Sequence, residues 1–178
     1  EEVRTLIRRT QGNLEYMMGL ANGQLAQAQL ESGTFSLRKE ELSVPLFIAD
    51  LAARMFMPLS LKKTQTFTYT VSGDIGPLFA DTQALSQILS NLVTNAFKYT
   101  PENGTISLKA CALDDTVVFE VKDSGYGMTA AQQESIFEPF VQVSADAEQR
   151  QGGVGLGLSI VERLVKMHEG TISVTSRP

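Results

Sequence analysis

The chain has 178 residues, 43% of them apolar and 7% aromatic, with no tryptophan, one cysteine and a formal net charge of −5. That is the length of one domain, or of one domain and an appendage, and it holds enough apolar side chains for a real core. The negative balance argues against nucleic acid as the main partner, the lone Cys111 excludes an internal disulfide, no run of about 18 apolar residues marks a membrane span, and charges throughout residues 1–20 exclude a signal peptide.

Residues 1–31 read as one long helix. Ile7, Leu14, Ala21 and Ala28 recur every seven residues, with Met18 and Leu25 between them. This is a coiled-coil-like seam, and a helix with such a seam needs a partner. Arg4, Arg8 and Arg9 read as its solvated face. Gly33 is placed to end the helix, and Thr34–Leu37 is an extended connector. From about residue 43 the pattern becomes that of a compact α/β domain. Ser43 is placed to cap a helix that runs to about Met57, with Pro45 tolerated in its first turn. Thr66–Val71 reads as a strand. Asp81 or Thr82 caps the next helix, whose apolar positions Leu85, Ile88, Leu89, Leu92, Val93 and Ala96 form a single stripe. Pro101–Gly104 is a turn. Strands over 105–112 and 116–122 form a hairpin about Asp114-Asp115. A short helix is expected from Thr129 to Phe137, a polar irregular stretch over 138–153, a helix from Gly155 to His168 closed by Gly170, and a last strand over Thr171–Thr175.

Three polar blocks interrupt this pattern. Asn91, Asn95 and Lys98 fall on one flank of the 82–99 helix, about a right angle from its apolar stripe at 100° per residue. An Asn carbonyl is a neutral oxygen ligand that suits Mg²⁺, and a lysine neutralises phosphate charge. Read alone, the flank is more often simply solvated. Asp123 ends a strand and enters Ser-Gly-Tyr-Gly. A fixed carboxylate accepts an amino donor such as that of adenine, and Gly125 and Gly127 permit positive φ and close backbone approach. Read alone, Asp-x-Gly is equally a plain turn. Gly153, Gly155 and Gly157 precede a helix whose free N–H groups suit phosphate, although the spacing is neither that of a P-loop nor that of a dinucleotide fingerprint.

In this order and spacing the blocks resemble the ATP-binding domain of sensor histidine kinases, within the Bergerat-fold ATPase superfamily. Residues 87–100, Gln-Ile-Leu-Ser-Asn-Leu-Val-Thr-Asn-Ala-Phe-Lys-Tyr-Thr, are similar to that family's N box. Asp123–Gly127 resembles its first glycine box, Phe137-Glu-Pro-Phe140 its F box and Gly153–Gly157 its second glycine box. The resemblance implies an α+β fold, a two-layer sandwich of a mixed sheet covered by helices, preceded by one long coiled-coil-like helix. It implies residues 1–33 as the second helix of a dimerisation hairpin, 34–42 as a linker and 43–178 as the ATP-binding domain, its C-terminal strand missing.

By position, Asn95 would ligate Mg²⁺ with Asn91 in support, Lys98 would contact phosphates and Tyr99 would line the pocket. Asp123 would receive the adenine amino group, assisted by a water and by Gly127, with Gly125 also among the nucleotide-binding residues. Phe137 and Phe140 would anchor an ATP lid over 138–153. Gly153, Gly155 and Gly157 would hinge it and hold phosphates, Arg150 late in the lid would supply a cation in place of the hydroxyl lost at Val154, and Leu156 would join the nucleotide-binding residues. The implied cofactors are ATP and Mg²⁺. The implied partners are a second copy, joined through the hairpin helices, and a response-regulator receiver domain, with neither nucleic acid nor membrane contacted.

ATP-hydrolysing relatives such as gyrase carry a Glu general base four residues before the metal Asn. Asn91 stands there and has no useful basicity, so phosphoryl transfer to a histidine is expected in place of hydrolysis. The only histidine, His168, lies at the end of the last helix. It is read as structural, so the phosphoacceptor is expected outside this chain, which alone would bind ATP without autophosphorylating. Pro139 and Val154 depart from the common Arg and Thr. A degenerate kinase or signalling adaptor is the competing reading. The composition fits a cytoplasmic fragment, whose parent protein is free to be membrane-anchored elsewhere.

Overall fold

The computed structural model describes Met17, residues 36–142 and residues 155–177. The expected N-terminal helix with its seam, Gly33, and the middle of the expected lid with Arg150 and Gly153 lie outside the described residues. The order is β1 (Glu40–Leu42), α1 (Val44–Lys63), β2 (Thr66–Ser72), β3 (Leu78–Ala80), α2 (Thr82–Tyr99), β4 (Thr105–Leu113), β5 (Thr116–Asp123), α3 (Ala130–Ser135) and α4 (Gly157–Met167). β4 is the centre of a three-stranded mixed sheet. It pairs in parallel with β2 from Thr66↔Thr105 to Ser72↔Cys111, and antiparallel with β5 from Ile106↔Asp123 to Leu113↔Thr116. β1 and β3 form a separate antiparallel ribbon.

The strands alternate as a one-sided sheet requires. Phe67, Ile106, Leu108 and Ala110 are buried beneath the helices, while Thr68, Lys109, Glu120 and Lys122 on the other face are exposed. α1 buries Val44, Phe47, Ile48, Leu51, Ala52 and Phe56 in this core. By length and composition alone it could cross a bilayer, with a mean hydropathy of 1.5. Its apolar content also builds the core just described.

α2 lies between two cores. Leu85, Leu89, Val93, Ala96 and Phe97 face the sheet and α1. Ala84 and Ile88, with Leu92 partly buried beside them, meet Leu156 at the entry of α4 and Ile160, Val161 and Leu164 within it. The expected single stripe is therefore two adjoining faces, as suits a helix covered from two sides.

Several boundaries differ from the sequence reading. The helix expected to stop near Met57 continues to Lys63. A π turn over Ala52–Phe56 precedes Pro58, widening the backbone where proline cannot donate, and Thr64 at φ 54° ends the helix. β1 and β3 are three residues each, too short to show alternation, and β1 lies within the expected linker. Gly155 has a φ of +74°, a left-handed value that delays α4 to Gly157. Thr129 caps α3 reciprocally with Gln132, which places Thr129 outside the helix; the helix ends at Ser135. Thr171–Thr175 is not a strand. No ladder partner pairs with it among the described residues, and Ser176 instead exchanges both backbone bonds with the Gln133 side chain (3.1 and 3.2 Å).

Candidate functional site

One continuous cleft of about 2560 Å³ runs along the flank of α2, past the end of β5 and the entry to α4. It is larger than a single ligand needs because it continues along Thr171–Arg177 beside β5. Its walls bring together Asn91, Asn95, Lys98, Tyr99, Asp123, Gly125, Gly127, Phe137, Gly155, Leu156 and Gly157. Phe140 does not join them. It is 57% exposed at a φ of 65°, and its N–H donates to the Gly155 carbonyl at 2.9 Å.

Asp81 starts the helix that carries the amide flank. Its carboxylate accepts from the Ala84 N–H at 2.9 Å, and this N-cap fixes the register that sends Asn91, Asn95 and Lys98 to one side. Asn91 donates its amide to the Gln87 carbonyl at 3.1 Å, which leaves its oxygen turned toward α4. A Cβ on Gly157 would lie 3.0 Å from that oxygen. The Asn95 side chain makes no hydrogen bond among the described residues. Lys98 donates to the Tyr99 hydroxyl at 2.9 Å, with its ammonium 4.6 Å from the centre of that ring. Lys63 donates to the Phe97 carbonyl at 3.0 Å. Burial holds its ammonium below the ordinary lysine range, and the charges of Lys62 and Lys98 add to the shift. The end of α2 is thus a cationic neighbourhood.

The inward row of β5 reads Val117, Phe119, Val121, Asp123, so pleating alone sends Asp123 to the helix side of the sheet. Its Oδ1 accepts from the Gly125 N–H at 2.8 Å, which orients the carboxylate and leaves Oδ2 available to an incoming donor. Gly127 adopts a φ of 71°, consistent with the turn read from the sequence. Gly125 has another reason to be glycine. A Cβ there would sit 2.6 Å from both the Tyr99 carbonyl oxygen and Asp123 Oδ1, so the close approach of the end of α2 by itself requires glycine. The Ser124 hydroxyl accepts from the Thr105 N–H at 2.9 Å and ties the turn to β4.

α4 begins with no side-chain cap, so the first-turn N–H groups of this eleven-residue helix lack the usual acceptor. No trio of His, Cys, Asp or Glu among the described residues is grouped to hold a metal. What the site offers a cation is two amide oxygens without a hydrogen bond among the described residues, those of Asn91 and Asn95. That suits an ion that keeps its waters and shares phosphate oxygens, and does not suit an all-protein cage. Sequence reasoning missed the apolar lining from Leu92, Met128 and Ile136. Leu92 falls within the stripe that the sequence pattern assigns to the core. Met128 was visible only as an apolar residue following Gly127.

The family model of histidine kinase-, DNA gyrase B- and HSP90-like ATPases matches residues 80–178. An uncharacterized sensor-like histidine kinase of Rhizobium meliloti is 32% identical over 90% of this chain and 30% of its own length. The adaptive-response sensory kinase SasA of Synechocystis is 36% identical over 75% of the chain and 36% of its own. This chain therefore spans about a third of these curated relatives. Among solved structures, full-length ShkA in complex with AMPPNP superposes with a TM-score of 0.79 at 28% identity, covering 99% of this chain and 37% of ShkA. The catalytic domain of the histidine kinase ThkA gives 0.64 at 26% identity, over 74% of this chain and 84% of that domain. With its mixed sheet, its covering helices and its cleft in place, the chain belongs to the histidine kinase-, DNA gyrase B- and HSP90-like ATPase family and is homologous to sensor histidine kinases.

Proposed function

We propose that residues 43–178 bind Mg-ATP and donate its γ-phosphoryl group to a histidine on a dimerisation helix outside this chain, for onward transfer to a response-regulator aspartate. Asp123 Oδ2 receives the adenine amino group, with Gly125 and Gly127 shaping the turn beneath the base. Tyr99, Leu92, Met128, Ile136 and Phe137 supply flat or apolar wall. Lys98 leaves the Tyr99 hydroxyl for phosphate oxygens, and the uncapped turn from Leu156 and Gly157 donates to them. Asn95, supported by Asn91, would hold Mg²⁺, which neutralises charge on the β- and γ-phosphates. Gly153, Gly155, Arg150 and Phe140 belong to the lid and its hinges. Residues 1–33 pair with a second copy through the Ile7–Leu14–Ala21–Ala28 seam.

The observation that carries transfer over hydrolysis is Asn91. The group set against the entry of α4, four residues before Asn95, is an amide and cannot deprotonate water. In the transfer, the bond between the γ-phosphorus and the β–γ bridging oxygen breaks. A phosphorus–nitrogen bond to imidazole forms, ADP leaves and the imidazole proton passes to solvent. The chain positions the phosphates and neutralises their charge. His168 is not the acceptor in this reading. Its Nδ1 lies 2.8 Å from the Leu164 carbonyl, and its Nε2 accepts from the Asp81 N–H at 3.2 Å, so both nitrogens are engaged. The ShkA complex with AMPPNP supports a nucleotide in this fold.

Two measurements test the proposal. Calorimetry with ATP and Mg²⁺ should show one site per chain and a raised melting temperature; no heat and no shift would end the nucleotide reading. The chain joined to a histidine-bearing dimerisation hairpin and given γ-labelled ATP should label the hairpin. Rapid release of inorganic phosphate without labelling would favour hydrolysis.

A further inference from the structure

α2 and α4 run antiparallel and meet at two places. At one, Gly157 opens α4 against the Asn91 oxygen, in the cleft. At the other, His168 closes α4 against Asp81, the N-cap of α2. Between them lies the small core of Ala84 and Ile88 against Ile160, Val161 and Leu164. The relative placement of the two helices, and with it the spacing of Asn91 from the first turn of α4, is therefore set partly at the C-terminal end of α4, where His168 borders the far end of the same cleft.

Three elements converge on Asp81, which is 8% exposed. Its Oδ1 caps α2 through the Ala84 N–H, and its Oδ2 accepts from the Arg38 N–H of the connector at 2.7 Å. Its own N–H donates to His168 Nε2. The imidazole is held for this role. The Leu164 carbonyl is an acceptor only, so the ring proton sits on Nδ1 and the Nε2 lone pair faces Asp81. Beside it, Lys39 reaches Glu169 at 3.5 Å and the Thr82 hydroxyl donates to Glu40 at 2.8 Å. Arg38 and Lys39 of the connector and Glu40, the first residue of β1, are thus each fastened near the ends of the two helices.

We infer that His168 and Asp81 form a positioning clasp, at the end of α4 opposite the Asn91–Gly157 contact, that sets the phosphate-binding end of the cleft and couples it to the connector over residues 36–39. The inference rests on the nucleotide reading above. Because the adenine end is built by β5 and the Asp123 turn, the clasp should affect phosphate binding and leave base binding unchanged. Because coupling is reciprocal, a nucleotide that draws Asn91 and Gly157 together should also tighten the connector onto Asp81.

The test compares ADP with Mg²⁺ and adenosine, by calorimetry, on the wild-type chain, H168L and H168Q. Leucine removes the acceptor, whereas the glutamine amide oxygen restores one near Nε2. We expect H168L to weaken ADP roughly ten-fold, the effect of one hydrogen bond, while adenosine stays within about two-fold, and H168Q to recover most of the loss. An ADP-to-adenosine ratio unchanged in H168L, or an H168Q as weak as H168L, overturns the clasp. Amide exchange at Arg38 and Ala84 decides the matter separately. It should be slow in wild type and H168Q and faster in H168L, and equal rates in all three overturn the clasp even if the wild type binds no nucleotide. Absence of binding by the wild type would by itself defeat only the nucleotide reading.

Discussion

A side chain at Gly125 and one at Gly157 would each collide, but with different neighbours. At Gly125 the obstacle is the Tyr99 backbone carbonyl, which cannot move without unwinding the end of α2. At Gly157 it is the Asn91 side-chain oxygen, which can rotate away. Gly157→Ala should therefore fold with little change in melting temperature and, on the proposed function, bind nucleotide several-fold more weakly, because it displaces the Asn91 amide that the proposal sets toward the phosphates; calorimetry beside a thermal scan checks both halves. Asp123→Asn keeps shape and removes charge. Its effect should fall on the base: adenosine and ADP should weaken together, by roughly ten- to a hundred-fold for one charge-assisted hydrogen bond. An ADP-only loss would place the base elsewhere.

At the scale of the element, α2 depends on its first residue. Burial alone would raise the Asp81 carboxyl, but the N–H groups of Ala84, Arg38 and Gln83 outweigh it, and the carboxyl is held below its ordinary 3.8. A carboxylate lowered in the folded state contributes stability that is fully present above its unfolded value and is lost as pH falls through the folded one. Asp81→Ala should therefore cost about 1–2 kcal/mol at neutral pH, the usual cost of losing an N-cap. The gap to wild type should stay constant down to about pH 4 and close only in stronger acid. Denaturant melts at several pH values check this, and a gap that opens in acid would show the sign to be wrong.

At the scale of the whole molecule, α2 is the shared wall of two cores, so its buried residues report on both. Leu89, fully buried toward the sheet, should cost about 2–5 kcal/mol on change to alanine, as for other large-to-small core substitutions, and should weaken all ligands only through unfolding. Ile88, on the α4 side, belongs to the smaller cluster that includes the entry of α4. Its truncation should cost less stability and more phosphate affinity, and urea melts paired with ADP titration separate the two.

Much of this protein was legible from its residues alone. The capped amphipathic helix over Thr82–Tyr99, the hairpin about Asp114-Asp115, and the Asn–Lys flank and Asp123 turn all follow from periodicities and turn chemistry that act within a few residues. The family resemblance rested on those same blocks. What only the tertiary structure decided depends on distant partners. The α2 stripe divides between two cores because α4 packs on one edge of it. Gly125 is glycine because Tyr99 arrives from a different element. Thr171–Thr175, strand-like in pattern, has no ladder partner among the described residues, and a strand exists only when another backbone answers its hydrogen bonds. His168, isolated in the sequence, acquires its partner 87 positions away in Asp81, a pairing that no local pattern encodes because it is made only when two antiparallel helices close.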